Sequence, residues 1–219
     1  MNAVLKPVPD KASLAEQAYR LLEEQLVTLR LKPGELVAEK DLMELAGIGR
    51  TPVREAIQRL SAEGLLQVLP RKGLMVAPLR HTDLCQIVEA RRVLERLLVV
   101  KATERATEDQ RLVLRHLATE IEAVDDDSEG FFRLDQQLNE LLEAACDNRF
   151  LVNALKAMQG QCRRLWFLHR GRLNLSRSAQ LHGGLARAVA TGDVTGAIRA
   201  LDEIIAILEE LVNGLDILN

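Results

Sequence analysis

Cysteine is scarce in this chain of 219 residues: three in all, Cys85, Cys146 and Cys162, far apart and in no CxxC pair. Such spacing excludes a disulfide scaffold and a zinc finger, and reads as small buried hydrophobes in a reducing cytosol. No run comes near the ~20 apolar residues that a membrane-spanning helix needs. The opening "MNAVLKPVPDKASLAEQ" has no signal-peptide core. Repeats and low-complexity segments are absent. So are the common catalytic signatures: there is no G-x-S-x-G elbow and no H-E-x-x-H, and "GIGR" follows a helical segment and lacks the lysine–serine pair of a phosphate loop. The four histidines (His81, His116, His169, His182) fall on different segments, none with a nucleophile beside it. Asp125–Asp127 reads as a solvated loop. These absences argue against an enzyme and a membrane protein, and for a cytoplasmic one.

What is present is globular in balance, with 47% apolar and 28% charged residues. The net charge of −3 hides an uneven distribution. Residues 1–80 hold 12 Lys and Arg against 10 Asp and Glu, whereas the remainder holds 17 against 22. Between residues 50 and 80 six basic side chains (Arg50, Arg54, Arg59, Arg71, Lys72, Arg80) meet two acidic ones (Glu55, Glu63). A local basic excess in an otherwise acidic chain points to a polyanionic partner at that place.

Apolar spacing predicts an amphipathic helix over 14–29, ended by the turn signal "LKPGE". A short helix over 39–46 follows, broken by "GIG" (47–49), then a third over 52–63 closed by Gly64. "LLQVL" and "LMVAPL" flank "PRKG" (70–73) as a β-hairpin with a basic tip. Three helices and a two-stranded wing form a winged helix-turn-helix, assigned to residues 1–78. Beyond it the pattern is helical only, over 82–105, 108–124, 129–146, 149–169, 176–191 and 194–213, with Thr107 and Ser128 as N-caps. The last helix carries one apolar stripe from Val194 through Ile204 to Leu215. The fold class is therefore mainly α: the winged domain and, over 79–219, an all-α bundle of six to seven helices.

In "GRTPVREAIQRLSAEGL" (49–65), Thr51 reads as the N-cap and Pro52 as the first helical residue. Val53, Ala56, Ile57 and Leu60 turn inward, while Arg50, Arg54 and Gln58 line the opposite face. The helix N-terminus and its free amides favour a phosphate at that same end.

The stretch "LKPGELVAEKDLMELAGIGRTPVREAIQRLSAEGLLQVLPRKGLMVAPL" closely resembles the DNA-binding domain of the GntR family of bacterial transcription regulators. The resemblance implies that the "RTPVREAI" helix enters the major groove and that the wing tip meets the minor groove. Carried over position by position, it assigns the contacts to Lys40, Arg50, Thr51, Arg54, Arg71, Lys72 and Gly73. Arg50 and Arg54 each suit a guanine edge or a phosphate. The C-terminal pieces "IVEARRVLERLLVVKA", "FRLDQQLNELLEAACDNRFL" and "LHGGLARAVATGDVTGAIRALDEI" resemble the ligand-sensing FCD domain of the FadR subgroup. In many relatives that domain holds a divalent metal of the zinc, nickel or manganese type through an aspartate and three histidines. Here the metal positions are Asp135 and His182, with Asn139 and Ile204 where histidines are expected. Two good ligands fall short of the three or four that a tight transition-metal site uses. The competing expectation is a metal-free pocket in which Asp135, Asn139 and His182 bond a ligand or each other.

Arg91 stands in the stripe Leu84, Ile87, Val88, Leu94 and Leu98, so it must find an anion. Either it pairs with Asp135 or Glu95, or it clamps a ligand carboxylate. The ligand-site candidates are thus Arg91, Asp135, Asn139 and His182. Trp166, Phe167 and His169 read as core or interface, and Arg163 and Arg164 as weaker ligand candidates.

Taken together, the reading is a ligand-responsive transcriptional regulator, and specifically a repressor. It would act as a homodimer on a palindromic double-stranded operator and answer to a small organic acid. Two alternatives stand beside it. One is an effector-independent repressor with a degenerate pocket, and the other a small-molecule-binding or catalytic bundle with a vestigial winged helix.

Overall fold

The Ser13 hydroxyl accepts from the Glu16 N–H at 3.2 Å and so starts helix α1 (Leu14–Val27). The computed structural model describes residues 13–171 and 174–214. Leu215, expected at the end of the last apolar stripe, lies outside the described residues. The chain divides into two units between Pro78 and Leu79.

In the first unit, α1 buries Ala18, Leu22 and Leu26 against α3. Helix α2 (Glu39–Ala46) ends at Gly47, whose φ of +64° is left-handed and suits glycine. Helix α3 (Arg50–Ala62) begins two residues before the expected start. Its N-cap is Gly49, with no side-chain cap bond, so Thr51 is not the cap and Pro52 is the third helical residue. The substitution of roles is harmless, because none of the N–H groups of a first turn has a helical acceptor. Strands β1 (Leu36–Val37), β2 (Leu66–Leu69) and β3 (Gly73–Val76) form an antiparallel sheet in the order β1-β3-β2. Leu36 pairs with Met75 and Val68 with Leu74. The expected two-stranded wing is present, and β1 is an addition, too short to show any alternation.

The far end of α3 is tied to α1 by polar contacts over a buried ring. Tyr19 Oη donates to Glu63 at 2.8 Å, and the Arg59 guanidinium lies 3.5 Å over the Tyr19 ring while bonding Glu16 at 2.8 Å. Burial, helped by Glu23 and Glu63, raises the Tyr19 pKa well above the ordinary tyrosine value. These contacts tie the C-terminal end of α3 to α1, while toward its other end the Arg50 and Arg54 side chains face solvent.

Among the described residues the second unit contains six helices: α4 (His81–Arg105), α5 (Glu108–Glu122), α6 (Ser128–Cys146), α7 (Arg149–His169), α8 (Leu175–Thr191) and α9 (Val194–Asn213). Short polar residues start most of them. Thr107 Oγ1 accepts from Gln110 N at 3.2 Å while Gln110 returns a bond to Thr107 N at 2.9 Å, a full capping box. At α6 the cap is Asp127, which accepts from Gly130 N at 2.8 Å, rather than Ser128 as the pattern suggested. An acidic cap suits the positive end of the helix dipole at least as well as a serine. Helix α5 lies along α8, and α4 packs on α9, α6 and α7. Arg111 joins these layers: it donates to the carbonyls of Thr103 (2.8 Å), Ala106 (3.2 Å) and Val189 (2.8 Å), closing the last turns of α4 and α8. The core between the layers includes Leu98, Leu114, Ile121, Phe131, Leu138 and Ile205.

Candidate nucleic-acid interface and ligand site

Helices α2 and α3 meet at the left-handed turn of Gly47, which brings the first turn of α2 beside the first turn of α3. Glu39, the first residue of α2, reaches both arginines of α3: Arg50 Nε lies 3.4 Å from Glu39 Oε1, and Arg54 Nε 3.5 Å from Glu39 Oε2. Both arginine side chains remain in solvent, at 73% and 64% exposure. Thr51 and Gln58 are exposed on the same helix, and Lys40 is exposed with its ammonium 3.5 Å from Glu44. At the wing, Arg71 (φ +65°), Lys72 and Gly73 (φ +95°) are all exposed. A Cβ on Gly73 would approach the Val37 carbonyl to 3.2 Å and would require a left-handed backbone, so glycine keeps the tip tight. All seven residues expected to meet DNA lie on the surface of the winged unit. Glu39 was not foreseen: an acid in the first turn of a helix reads as a dipole partner, and nothing local in the sequence joins it to residues 11 and 15 positions away.

The second site lies within the bundle. On α8, His182 is buried, and its Nδ1 donates to the Ser178 carbonyl at 2.7 Å, since a carbonyl can only accept. That bond turns Nε2 toward Asp135 Oδ1 on α6, 3.4 Å away. One turn along α6, the Asn139 amide donates to the Asp135 backbone carbonyl (2.9 Å) and to its Oδ1 (3.3 Å). Two aromatic rings wall the imidazole edge-on: Phe131 at 5.1 Å from α6, and Trp166 at 6.1 Å from α7. Ser178 Oγ is buried there with no hydrogen-bond partner among the described residues. Asp135, Asn139 and His182 are therefore gathered in one place.

Arg91 is turned to a different partner. Its Nε and Nη2 both donate to Glu95 Oε1, at 2.9 and 2.5 Å, and both residues are buried. Of the two carboxylates expected to compete for it, Glu95 holds it. Burial lowers the Arg91 pKa, but attraction to Cys162 and Glu95 outweighs that, and the net shift is upward. The same burial raises the Cys162 thiol, with Arg91 opposing it. Helix α7 connects the two clusters, with Cys162 at Arg91 and Trp166, one turn on, at His182.

Three features of this region escaped the sequence pattern. Trp166 is a core residue, as expected, and it also forms a wall of the polar cluster. Ser178 is too common a residue to draw notice. Arg164, ranked a weak candidate beside its helix stripe, is fully buried, donates to Gln161 Oε1 at 2.9 Å, and has its pKa pulled down by burial to about 10. The cause is that α7 is enclosed almost all round in its second half, where Cys162, Arg164, Leu165 and Trp166 are all buried. A one-sided stripe cannot signal that.

The residues present do not fit a transition metal. The Asn139 amide points its N–H group at Asp135 and not its oxygen, and Ile204 is a buried apolar residue of α9. What is left is one imidazole nitrogen and one carboxylate. Among the described residues no group of three or more His, Cys, Asp or Glu could hold a metal ion, and no helix is long and apolar enough to cross a membrane.

Residues 14–76 match the description "Bacterial regulatory proteins, gntR family", and residues 86–206 match the FCD domain. The chain is 33% identical over 143 residues to the HTH-type transcriptional regulator YdhC of Bacillus subtilis (strain 168), covering 64% of each chain, a little under two thirds of that relative. It is 28% identical over 163 residues to the HTH-type transcriptional repressor RspR of Escherichia coli (strain K12), covering 70% of each. The solved structure of E. coli McbR/YncC shares the fold, with a TM-score of 0.80 at 23% identity over 93% of this chain and 99% of that one.

Proposed function

The chain belongs to the GntR family of bacterial regulatory proteins, with an FCD domain as its C-terminal part, and on that premise we propose how it works. It is a DNA-binding transcriptional regulator in which α3 enters the major groove through Arg50, Thr51 and Arg54. The wing residues Arg71, Lys72 and Gly73, together with Lys40, hold the phosphate backbone. Two copies of the chain bind a palindromic operator, each placing one α3 in a half-site. The output is repression, as in the relative named a repressor. The observation that carries this reading is the pair of exposed arginines one turn apart in the first half of α3, on the side opposite its buried face.

The controlling ligand is a small metabolite bound by the bundle between Asp135, Asn139, Ser178 and His182, with Phe131 and Trp166 as its walls. Ser178 Oγ, buried without a partner, supports a ligand that supplies one. A ligand carboxylate reaching Arg91 has to share the guanidinium with Glu95, so effector binding and the α4 packing are linked. Binding then shifts the population of DNA-competent dimers. A second reading, a repressor that needs no effector, is favoured by the bonds that Asp135, Asn139 and His182 already make to one another. Fluorescence anisotropy of the full chain on labelled genomic fragments, with and without a panel of small organic acids, tests both. Release of a specifically bound fragment by one acid supports the first reading, and specific binding indifferent to the whole panel supports the second. No specific binding to any fragment refutes both.

A further inference from the structure

Glu39 is an acidic side chain in the middle of a surface assigned to a polyanion, and it is placed where it reduces the very charge that surface offers. A carboxylate 3.4 Å from one arginine and 3.5 Å from the other repels phosphate and is desolvated when DNA covers it. Its worth as an exposed ion pair is small, so stability alone does not explain its position. What it does achieve is orientation. Each of its oxygens has the Nε of a different arginine as its nearest guanidinium nitrogen, so the carboxylate does not engage the Nη1–Nη2 end of either group. That end carries two parallel N–H donors, the pair that fits the O6 and N7 acceptors of a guanine.

From this juxtaposition we infer that Glu39 is a positioning residue for sequence readout: it fixes Arg50 and Arg54 so that they present paired donors to base edges instead of relaxing onto the nearest phosphates. The inference rests on the proposed DNA-binding role of α3. With two cations and one anion the cluster keeps a single net positive charge, so it attracts DNA less strongly than two free arginines would and discriminates between sequences more sharply. Long flexible cations without such a holder find phosphates first, because phosphates surround the groove on both sides. Glu39 itself need not touch a base.

The test uses the full chain and random-sequence duplexes from which the wild-type protein selects its preferred site. Affinities for that site and for an unrelated duplex are then measured at one fixed salt concentration for the wild type, Glu39→Gln and Glu39→Asp. Glu39→Gln removes the charge, and Glu39→Asp keeps it but shortens the reach. Both variants are expected to lower the ratio of specific to non-specific affinity at least tenfold. Glu39→Gln should also bind the unrelated duplex as tightly as the wild type or several-fold more tightly. Repeated selection with Glu39→Gln should lose preference at the same base positions that Arg50→Ala and Arg54→Ala lose. The inference is overturned if either variant keeps the wild-type ratio. It is also overturned if Glu39→Gln raises both affinities by one common factor, which would make Glu39 a mere charge. Loss of preference for a cytosine alone, with the arginine positions intact, would make it a direct reader and overturn the inference equally. If the wild type selects no sequence, or the arginine variants select as well as it does, the DNA-binding reading itself fails. Thermal unfolding of each variant within a few degrees of the wild type confirms that the differences belong to recognition.

Discussion

Replacing Ser178 by alanine should make the ligand-free protein more stable. The hydroxyl is buried on α8 with no hydrogen-bond partner among the described residues, so folding strips it of water and gives nothing back. An unmet hydroxyl of this kind costs about 1–3 kcal/mol, and alanine removes it while leaving the backbone and nearly all of the volume in place. Alanine is also the better helix former, by about 0.5 kcal/mol, which needs separate subtraction. Ser176, exposed two residues earlier on the same helix, provides it: Ser176→Ala reports propensity with no buried hydroxyl. The difference between the two variants should be about 1–2 kcal/mol, or a rise of about 3–6 °C in Tm for a unit of this size. Trp166 is the single tryptophan of the chain and touches the same cluster, so its fluorescence follows this unit without interference from the winged domain. The variant should at the same time lose part of the stabilisation that an effector confers on the wild type. A Ser178→Ala Tm no higher than that of Ser176→Ala would refute the reasoning, because it would mean that the hydroxyl is satisfied in the folded protein.

Two other perturbations have worked directions. Arg111→Met keeps the apolar stem but removes the guanidinium that donates to the Thr103, Ala106 and Val189 carbonyls, and it should lower stability by about 2–4 kcal/mol in urea unfolding followed by Trp166. Tyr19→Phe removes the one O–H donor, which bonds Glu63 at 2.8 Å with Glu23 as a longer alternative acceptor at 3.2 Å, and should cost about 1 kcal/mol near neutral pH. Because the folded Tyr19 pKa is raised, its contribution is whole below the ordinary tyrosine pKa of about 10 and is lost as pH climbs beyond it. Stability of the wild type should therefore fall more steeply than that of Tyr19→Phe between about pH 10 and 11, measured by circular dichroism.

How far the sequence carries the account depends on the range of the interactions involved. Helix α2 and the six helices of the second unit are visible because their apolar spacing and their breaks are local; most of their ends agree to the residue and the rest differ by one or two. The start of α3 is misplaced for an instructive reason: Thr51 is a good capping residue in the wrong place, since Gly49 already supplies the extended backbone that the helix needs. Strand β1 is only two residues long and owes its existence to pairing with β3, nearly forty residues away. At the sites the division is similar. The spacing of Arg50 and Arg54 lies on one helix and is legible, while the contact of each with Glu39 is not. Asp135 and Asn139 share a helix and are legible together, and their meeting with His182 follows from the resemblance. The enclosure of Trp166 and Arg164 depends on how four helices close around α7, and no single helix records it.

The central claim, that α3 reads DNA through Arg50 and Arg54, is tested most directly by one competition experiment. The full-length wild type and the Arg50→Ala/Arg54→Ala variant are titrated on a genomic fragment that the wild type binds, against excess unrelated duplex. Each well-formed arginine–guanine contact is worth about 1–3 kcal/mol of discrimination, so the double variant should lose at least tenfold in specific affinity while its unfolding followed by circular dichroism stays unchanged. Equal binding of that fragment by the wild type and the double variant would contradict the claim.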